Sequence, residues 1–197
     1  MAESLLRIGV LATQGDFAAH LEMFESLGAE AVEVRTPGDL QGLDGLTIPG
    51  GESTTISKGM ARDGLDTAIG ERFEQGMCLF GTCAGMILLD RNHLALGDWE
   101  CERNAFGRQR DSFECDLEVE GLGSEPVRAV FIRAPKITET GAGVEVLARI
   151  DEDPVAVRQG NLLATAFHSE LTDDSRIHAM FMAIATGSRE RQESGAR

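Results

Sequence analysis

The sequence predicts an α/β fold with a mostly parallel central sheet, helices on both faces and a small antiparallel edge. Three observations carry this. Short apolar runs alternate with helical patterns through the first half of the chain, in the β-α-β-α-β order of a parallel sheet. The run Met77-Cys78-Leu79-Phe80 is apolar throughout, as a strand buried on both faces should be, and it leads straight into Gly81-Thr82-Cys83-Ala84-Gly85 and an apolar helix. The later runs partly alternate between apolar and polar residues, which suits antiparallel strands at one edge.

Taken in order, residues 7–12 read as the first strand, and Thr13-Gln14-Gly15-Asp16 as a turn whose Asp16 can cap a helix over 17–27. Leu21, Phe24 and Leu27 recur there at helical spacing, and Gly28 is a fitting stop. Residues 31–34 form a second strand, ended by Pro37-Gly38, and 43–48 a third, ending at Pro49-Gly50-Gly51-Glu52-Ser53-Thr54-Thr55. Helical segments at 56–60 and 65–74 lead into the central strand, and 84–89 form the helix after it. The stretch 91–145 is less regular, with strands expected at 113–120, 127–132 and 144–150. Residues 155–158 and 162–167 are joined by Gln159-Gly160-Asn161, a good hairpin turn. A last helix spans 175–184, with Ile177, Met180, Phe181 and Ile184 on one face. The expected organisation is one domain over residues 1–186 and a flexible charged tail over 187–197.

Composition narrows the function. A chain of 197 residues with 42% hydrophobic content can bury one substantial core. No apolar run is long enough to span a bilayer and the first residues lack the pattern of a signal peptide, so a cytoplasmic protein is expected. The net charge of -15, from 33 acidic against 18 basic residues, repels a nucleic-acid backbone. Only Lys58 and Lys136 are lysines. Scarce Lys beside abundant Asp and Glu suggests a surface suited to high salt, where self-repulsion is screened. The four cysteines show no metal-type spacing. No metal site and no cofactor are expected; Cys78, Cys101 and Cys115 read as packing residues.

Three segments fall at the carboxyl ends of expected parallel strands, where open α/β sheets bind ligands. Gly81-Thr82-Cys83-Ala84-Gly85 is the cysteine counterpart of the Gly-x-Ser-x-Gly nucleophile elbow, and a thiol at the start of a helix is favoured as thiolate. By itself the pattern fits a buried core thiol equally well. The second segment is Pro49-Gly50-Gly51-Glu52-Ser53, and the third Ala166-Phe167-His168-Ser169-Glu170. A nucleophilic thiol needs a base, and the base needs an orienting group. His168 suits the first role, and Glu170, two residues on, projects to the same side of an extended segment. The N–H of Ala84 and a peptide N–H of Gly50-Gly51 can stabilise an oxyanion. His20, His93 and His178 lack such a setting and are expected at the surface.

Together these residues resemble the class I, triad-type glutamine amidotransferases, and among them the glutaminase subunits of pyridoxal 5'-phosphate synthases. The resemblance runs almost end to end, from Gly9 to His178. Its most specific blocks are Pro49-Gly50-Gly51-Glu52-Ser53-Thr54-Thr55, Gly81-Thr82-Cys83-Ala84-Gly85-Met86, Arg103-Asn104-Ala105-Phe106-Gly107-Arg108-Gln109, Phe131-Ile132-Arg133-Ala134-Pro135 and Phe167-His168-Ser169-Glu170-Leu171-Thr172. It implies a flavodoxin-like three-layer sandwich that hydrolyses L-glutamine to glutamate and ammonia and passes the ammonia to a separate (β/α)8-barrel synthase subunit in a hetero-oligomer. By the same resemblance Cys83 is the nucleophile, His168 the base and then the acid, and Glu170 the orienting carboxylate. Gly51 and Ala84 form the oxyanion hole, and Gly50, Gly51, Glu52, Arg103, Ile132 and Arg133 line the glutamine site. Such subunits are implied to need the synthase for full activity, with Gln14, Gly15 and the helix after them near the docking face. Two positions depart from the family pattern: Ser169 stands where Pro is usual, and Thr13 where an aliphatic residue is usual. A glutaminase serving another amidotransferase and a catalytically silent subunit of the same fold are the competing readings. The second predicts a broken triad, whereas Cys83, His168 and Glu170 are all present.

Overall fold

The computed structural model describes residues 5–103 and 112–195. The block 104–109, singled out above as Asn104 to Gln109, lies outside the described residues.

Strand β1 (Arg7–Leu11) is followed by α1 (Phe17–Ser26), β2 (Glu30–Val34), β3 (Gly45–Ile48), α2 (Ser53–Asp63), α3 (Leu65–Glu74), β4 (Cys78–Thr82) and α4 (Ala84–Leu89). Then come β5 (Trp99–Glu102), β6 (Ser112–Leu117), β7 (Val127–Ile132), β8 (Lys136–Thr140), β9 (Glu145–Ile150), β10 (Asp153–Gln159), β11 (Leu162–Thr165) and α5 (Arg176–Gly195). A seven-stranded sheet runs in the order β2-β1-β3-β4-β11-β10-β9. The strands from β2 through β11 in that order pair in parallel, while β10 and β9 close the edge antiparallel. This is the α/β sandwich expected, and Gln159-Gly160-Asn161 makes the β10–β11 hairpin. The pairs β5–β8 and β6–β7 form two further antiparallel ribbons. Strands β5 and β8 are not expected from the residues alone: Trp99-Glu100-Cys101-Glu102 and Lys136–Thr140 are short and charge-rich, and only their pairing makes them strands.

Strand β4 lies between β3 and β11 and is buried at every position. Phe80 points to one face, where it meets His178 and Phe181 of α5, and Phe181 in turn meets Phe24 of α1. Gly81 points to the other face, where a Cβ would run into the Gly85 backbone and Leu89 of α4. A Cβ on Gly85 would likewise strike the Ile48 carbonyl. The two glycines therefore let α4 lie directly on the sheet, which the sharp turn at Cys83 requires.

Three expectations are corrected. The chain from residue 187 is not a loose tail, because α5 continues through Gly195. Ser188 donates to the Gly76 carbonyl at 2.8 Å and Arg191 to Asn161 Oδ1 at 3.0 Å, tying the extension to the bottom of the sheet. Asp16 makes no capping hydrogen bond to α1. His20 and His178 are not surface residues: both are fully buried between α1, α5 and β4. His93 is exposed, as expected, with its Nδ1 2.8 Å from Asp90 Oδ1. Among the described residues no helix is long and apolar enough to cross a membrane.

Candidate active site

The site lies at the carboxyl ends of β3, β4 and β11, with the end of β7 folded over it. Cys83, between β4 and α4, has φ 50° and ψ -104°, a conformation that side-chain-bearing residues avoid. Its N–H donates to the Thr165 carbonyl at 2.8 Å, which ties the corner to β11. Arg133, just past β7, is a second non-glycine with positive φ, at 44°. Backbone strain is thus held at two neighbouring points of one cleft, as functional sites commonly do. Cys83 is 8% exposed and directs its S–H toward the Ile132 carbonyl, 3.8 Å away.

His168 follows β11, and its N–H donates to the Val130 carbonyl of β7 at 2.8 Å. Glu170, in a short 3-10 turn over Ser169–Leu171, brings Oε1 to 2.7 Å from His168 Nδ1. This leaves Nε2 for the thiol, and the Cys83 side chain interacts with the ring. Burial disfavours charge on His168, but the Cys83 thiol and the Glu170 carboxylate outweigh it and push its pKa up to about 10. Burial likewise opposes charge on Glu170, yet His20 and His168 outweigh it and hold the carboxyl below its usual range. The arrangement favours an imidazolium between the Glu170 carboxylate and the Cys83 sulfur.

In front of His168 is Gly50, where any Cβ would collide with the imidazole. Gly50 therefore packs against the face of the ring, and the cleft itself is lined from Gly51 onward. Gly51 does line the cleft, with φ 148°, a value that glycine adopts freely and other residues do not. The Gly50 carbonyl lies so close to Gly15 that a Cβ there would overlap it. Because a trans peptide opposes its C=O and N–H, the Gly51 N–H points away from Gly15. The Ala84 N–H, at the first position of α4, has no acceptor within the helix.

Glu52, Ala84, Arg103, Ile132 and Arg133 also line the cleft, joined by Ser53 and by Ile87, which lies outside the motif blocks. Glu52 caps α2, accepting from Thr55 Oγ1 at 2.6 Å and from the Thr55 and Thr54 amides at 2.8 and 3.2 Å. The Thr55 hydroxyl and amide hold its pKa at about 2. Arg103 reaches the same carboxylate at 3.1 Å. Arg133 is exposed and makes no ion pair with the other described residues. A fixed carboxylate and two guanidiniums at one mouth suit the ammonium and carboxylate of an amino acid.

The residues to which the sequence reading gives no role lie behind the triad. Thr82, His20 and His178 are buried and linked to one another and to Glu170. His20 stands one helical turn before Phe24, and His178 three residues before Phe181, so helical spacing places both on apolar faces.

A family model described as the SNO glutamine amidotransferase family matches residues 10–186. The chain belongs to the SNO glutamine amidotransferase family. Similar members include a protein of Thermus thermophilus called pyridoxal 5'-phosphate synthase subunit PdxT, 54% identical over 187 residues, covering 90% of this chain and 97% of that one. A Niallia circulans protein of the same name is 52% identical over 184 residues, covering 90% and 96% of the two chains. A solved structure described as a glutamine amidotransferase superposes with a TM-score of 0.86 at 50% identity, covering 91% of this chain and 98% of that one. A putative GMP synthase protein from Thermoplasma acidophilum matches at 18% identity with a TM-score of 0.76, covering 97% and 99% of the two chains, which shows the shared fold alone.

Proposed function

We propose that this SNO-family amidotransferase hydrolyses L-glutamine through Cys83, His168 and Glu170 and supplies the ammonia to a pyridoxal 5'-phosphate synthase subunit. The observation that carries the reading is the Glu170–His168 hydrogen bond of 2.7 Å, directed at a thiol on a strained elbow above the cleft. The relatives that bear the synthase-subunit name are matched over nearly their whole length, which supports the same assignment here.

The chemistry follows from the positions. The Cys83 thiolate attacks the side-chain amide carbon of glutamine. The developing oxyanion is met by the Ala84 and Gly51 N–H groups; one such donor is typically worth about 10²–10³ in rate. His168 gives its proton to the departing nitrogen, which leaves as ammonia, and Cys83 carries a γ-glutamyl thioester. His168, now neutral, takes a proton from water as it attacks, and glutamate is released with the thiolate restored. Glu170 keeps the imidazole oriented and balances its charge through both steps. Glu52 receives the substrate ammonium, while Arg103 and Arg133 face its α-carboxylate. Ammonia then passes to a synthase subunit with a (β/α)8-barrel fold in a cytoplasmic hetero-oligomer, whose docking near Gln14 and α1 raises glutaminase activity. The Gln14 side chain supports this placement: its Oε1 accepts from the Glu52 N–H at 3.2 Å, so pressure on that turn reaches the oxyanion loop.

The test is ammonia release from L-glutamine with and without the synthase subunit, in wild type and Cys83→Ala. Activity that rises with the synthase and vanishes in the variant is expected. Activity retained by Cys83→Ala would overturn the assignment.

A further inference from the structure

A buried chain of polar groups extends beyond Glu170. His20 Nε2 lies 3.4 Å from Glu170 Oε2 and 3.2 Å from Thr82 Oγ1, and His20 Nδ1 lies 2.9 Å from His178 Nε2. Thr82 Oγ1 also accepts the Gly50 N–H at 3.1 Å. His20, His178 and Thr82 are fully buried, and Glu170 is nearly so. Four polar side chains sealed inside an otherwise apolar layer are costly unless their partners are in place.

The hydrogen positions follow from the one nitrogen left over. Burial favours the neutral form of both rings, pushing His178 down to about 3, so each carries one N–H. His178 Nδ1 has no partner among the described residues. A buried bare nitrogen costs less than a buried N–H with nothing to bond, so the His178 proton sits on Nε2 and is donated to His20 Nδ1. His20 then carries its proton on Nε2 and donates it to Thr82 Oγ1, while Glu170 Oε2, 3.4 Å away, has no hydrogen-bond partner among the described residues. The opposite arrangement would strand an N–H on His178 and set a lone pair against the Glu170 carboxylate.

We propose that His20 is a positioning residue of the glutaminase, whose Nε2–H holds Thr82 and through it the Gly50 end of the oxyanion loop, with its ring set 3.4 Å from Glu170 Oε2 as an electrostatic neighbour. This inference rests on the Cys83-His168-Glu170 reading above. Glu170 stands behind the His168 ring and Gly50 in front of it, so one side chain of α1 braces the catalytic imidazole from both sides. Toward Glu170 the contact is electrostatic: the positive end of the His20 N–H lies 3.4 Å from Oε2, an oxygen with no hydrogen-bond partner among the described residues. His178, donating from α5, keeps His20 in the tautomer that this requires.

The test compares His20→Phe, which keeps an aromatic ring and loses the donor, with His20→Gln, whose amide N–H can stand in for Nε2–H. Both are assayed in the complex with the synthase subunit, with rates normalised to the Cys83 thiols that react with iodoacetamide in the folded protein. His20→Phe should lower kcat by about 10–100-fold and leave KM within about twofold, the pattern of misplaced rather than missing catalytic groups. His20→Gln should recover most of the loss, which a purely packing role would not produce. Thr82→Val, nearly the same shape, cuts only the Gly50 arm and should lower kcat by a smaller factor; it decides the matter if His20→Phe does not fold. Wild-type kcat in His20→Phe, equal impairment in the Phe and Gln variants, or wild-type kcat in Thr82→Val would each overturn the proposal. Cys83→Ala is run alongside: ammonia release surviving there would overturn the triad itself, and this inference with it.

Discussion

Arg103 and Glu52 meet across the mouth of the cleft, with Arg103 Nη2 3.1 Å from Glu52 Oε1, while Arg133 on the opposite lip has no ion-pair partner among the described residues. The two arginines are therefore unequal. Arg103 is already oriented by Glu52 and by Thr54 Oγ1, which accepts from its Nη1 at 3.4 Å. Among the described residues no side chain or carbonyl holds the Arg133 guanidinium.

A substrate carboxylate should consequently depend most on Arg133. A charge-assisted hydrogen bond contributes about 1.5–3 kcal/mol, so Arg133→Ala should raise KM for glutamine by about 10–100-fold with kcat little changed. Steady-state kinetics of the complex check this; a fall in kcat at constant KM would place Arg133 elsewhere in the mechanism.

Glu170→Gln keeps the shape of the carboxylate but places an amide against His168 Nδ1. The imidazolium loses its balancing charge and the correct tautomer loses its acceptor. A drop in kcat of about 10²–10⁴-fold is expected, with glutamine still bound. Single-turnover acylation of Cys83 measures it.

The state of His168 also ties stability to pH. Its folded pKa is raised from 6.5 to about 10, so the folded chain binds this proton more tightly than the unfolded one. The stability it contributes is fully present below pH 6.5 and is lost as pH rises from there toward 10. Thermal midpoints of wild type and His168→Ala measured across that window should draw together as pH increases. A constant gap would contradict the imidazolium.

Much of this site is legible in the residues, because each part is a local rule. Gly81-Thr82-Cys83-Ala84-Gly85 must be small on both sides of the thiol for α4 to lie on the sheet, and Glu170 reaches His168 because the two stand two residues apart near a strand end. Fold class is equally accessible, since β4 and its neighbours read as short apolar runs between helical patterns. What escapes depends on long-range pairing. Trp99–Glu102 becomes a strand only against Lys136–Thr140, and α5 outlasts its apolar face because Ser188 and Arg191 find acceptors at Gly76 and Asn161. His20 and His178 escape because histidine counts as polar in a periodic pattern, although their helical neighbours Phe24 and Phe181 mark buried faces.

Ser169 is the departure from the family pattern with a measurable consequence. Its hydroxyl is buried without a partner among the described residues, and it opens the 3-10 turn after His168, whose φ of -94° and ψ of 95° suit the residue before a proline. Ser169→Pro should stabilise the chain by about 0.4–1 kcal/mol by restricting the unfolded state, with kcat retained. Urea unfolding checks it, and a loss of stability would show that the turn needs the Ser169 N–H.

The net charge of -15 makes a further prediction. Self-repulsion across so acidic a surface is screened by salt, so the thermal midpoint should rise with KCl concentration. A midpoint that stays level would remove the case for a salt-adapted surface.

The central claim, covalent catalysis by Cys83, is tested most directly by acid-quenching the complex during turnover of L-glutamine and weighing the peptide that carries this residue. The account predicts a γ-glutamyl group on Cys83 that builds up and then clears as substrate is consumed, and none in Cys83→Ala. Steady ammonia release with no adduct on Cys83, or with an adduct on Cys78, Cys101 or Cys115 instead, would contradict it.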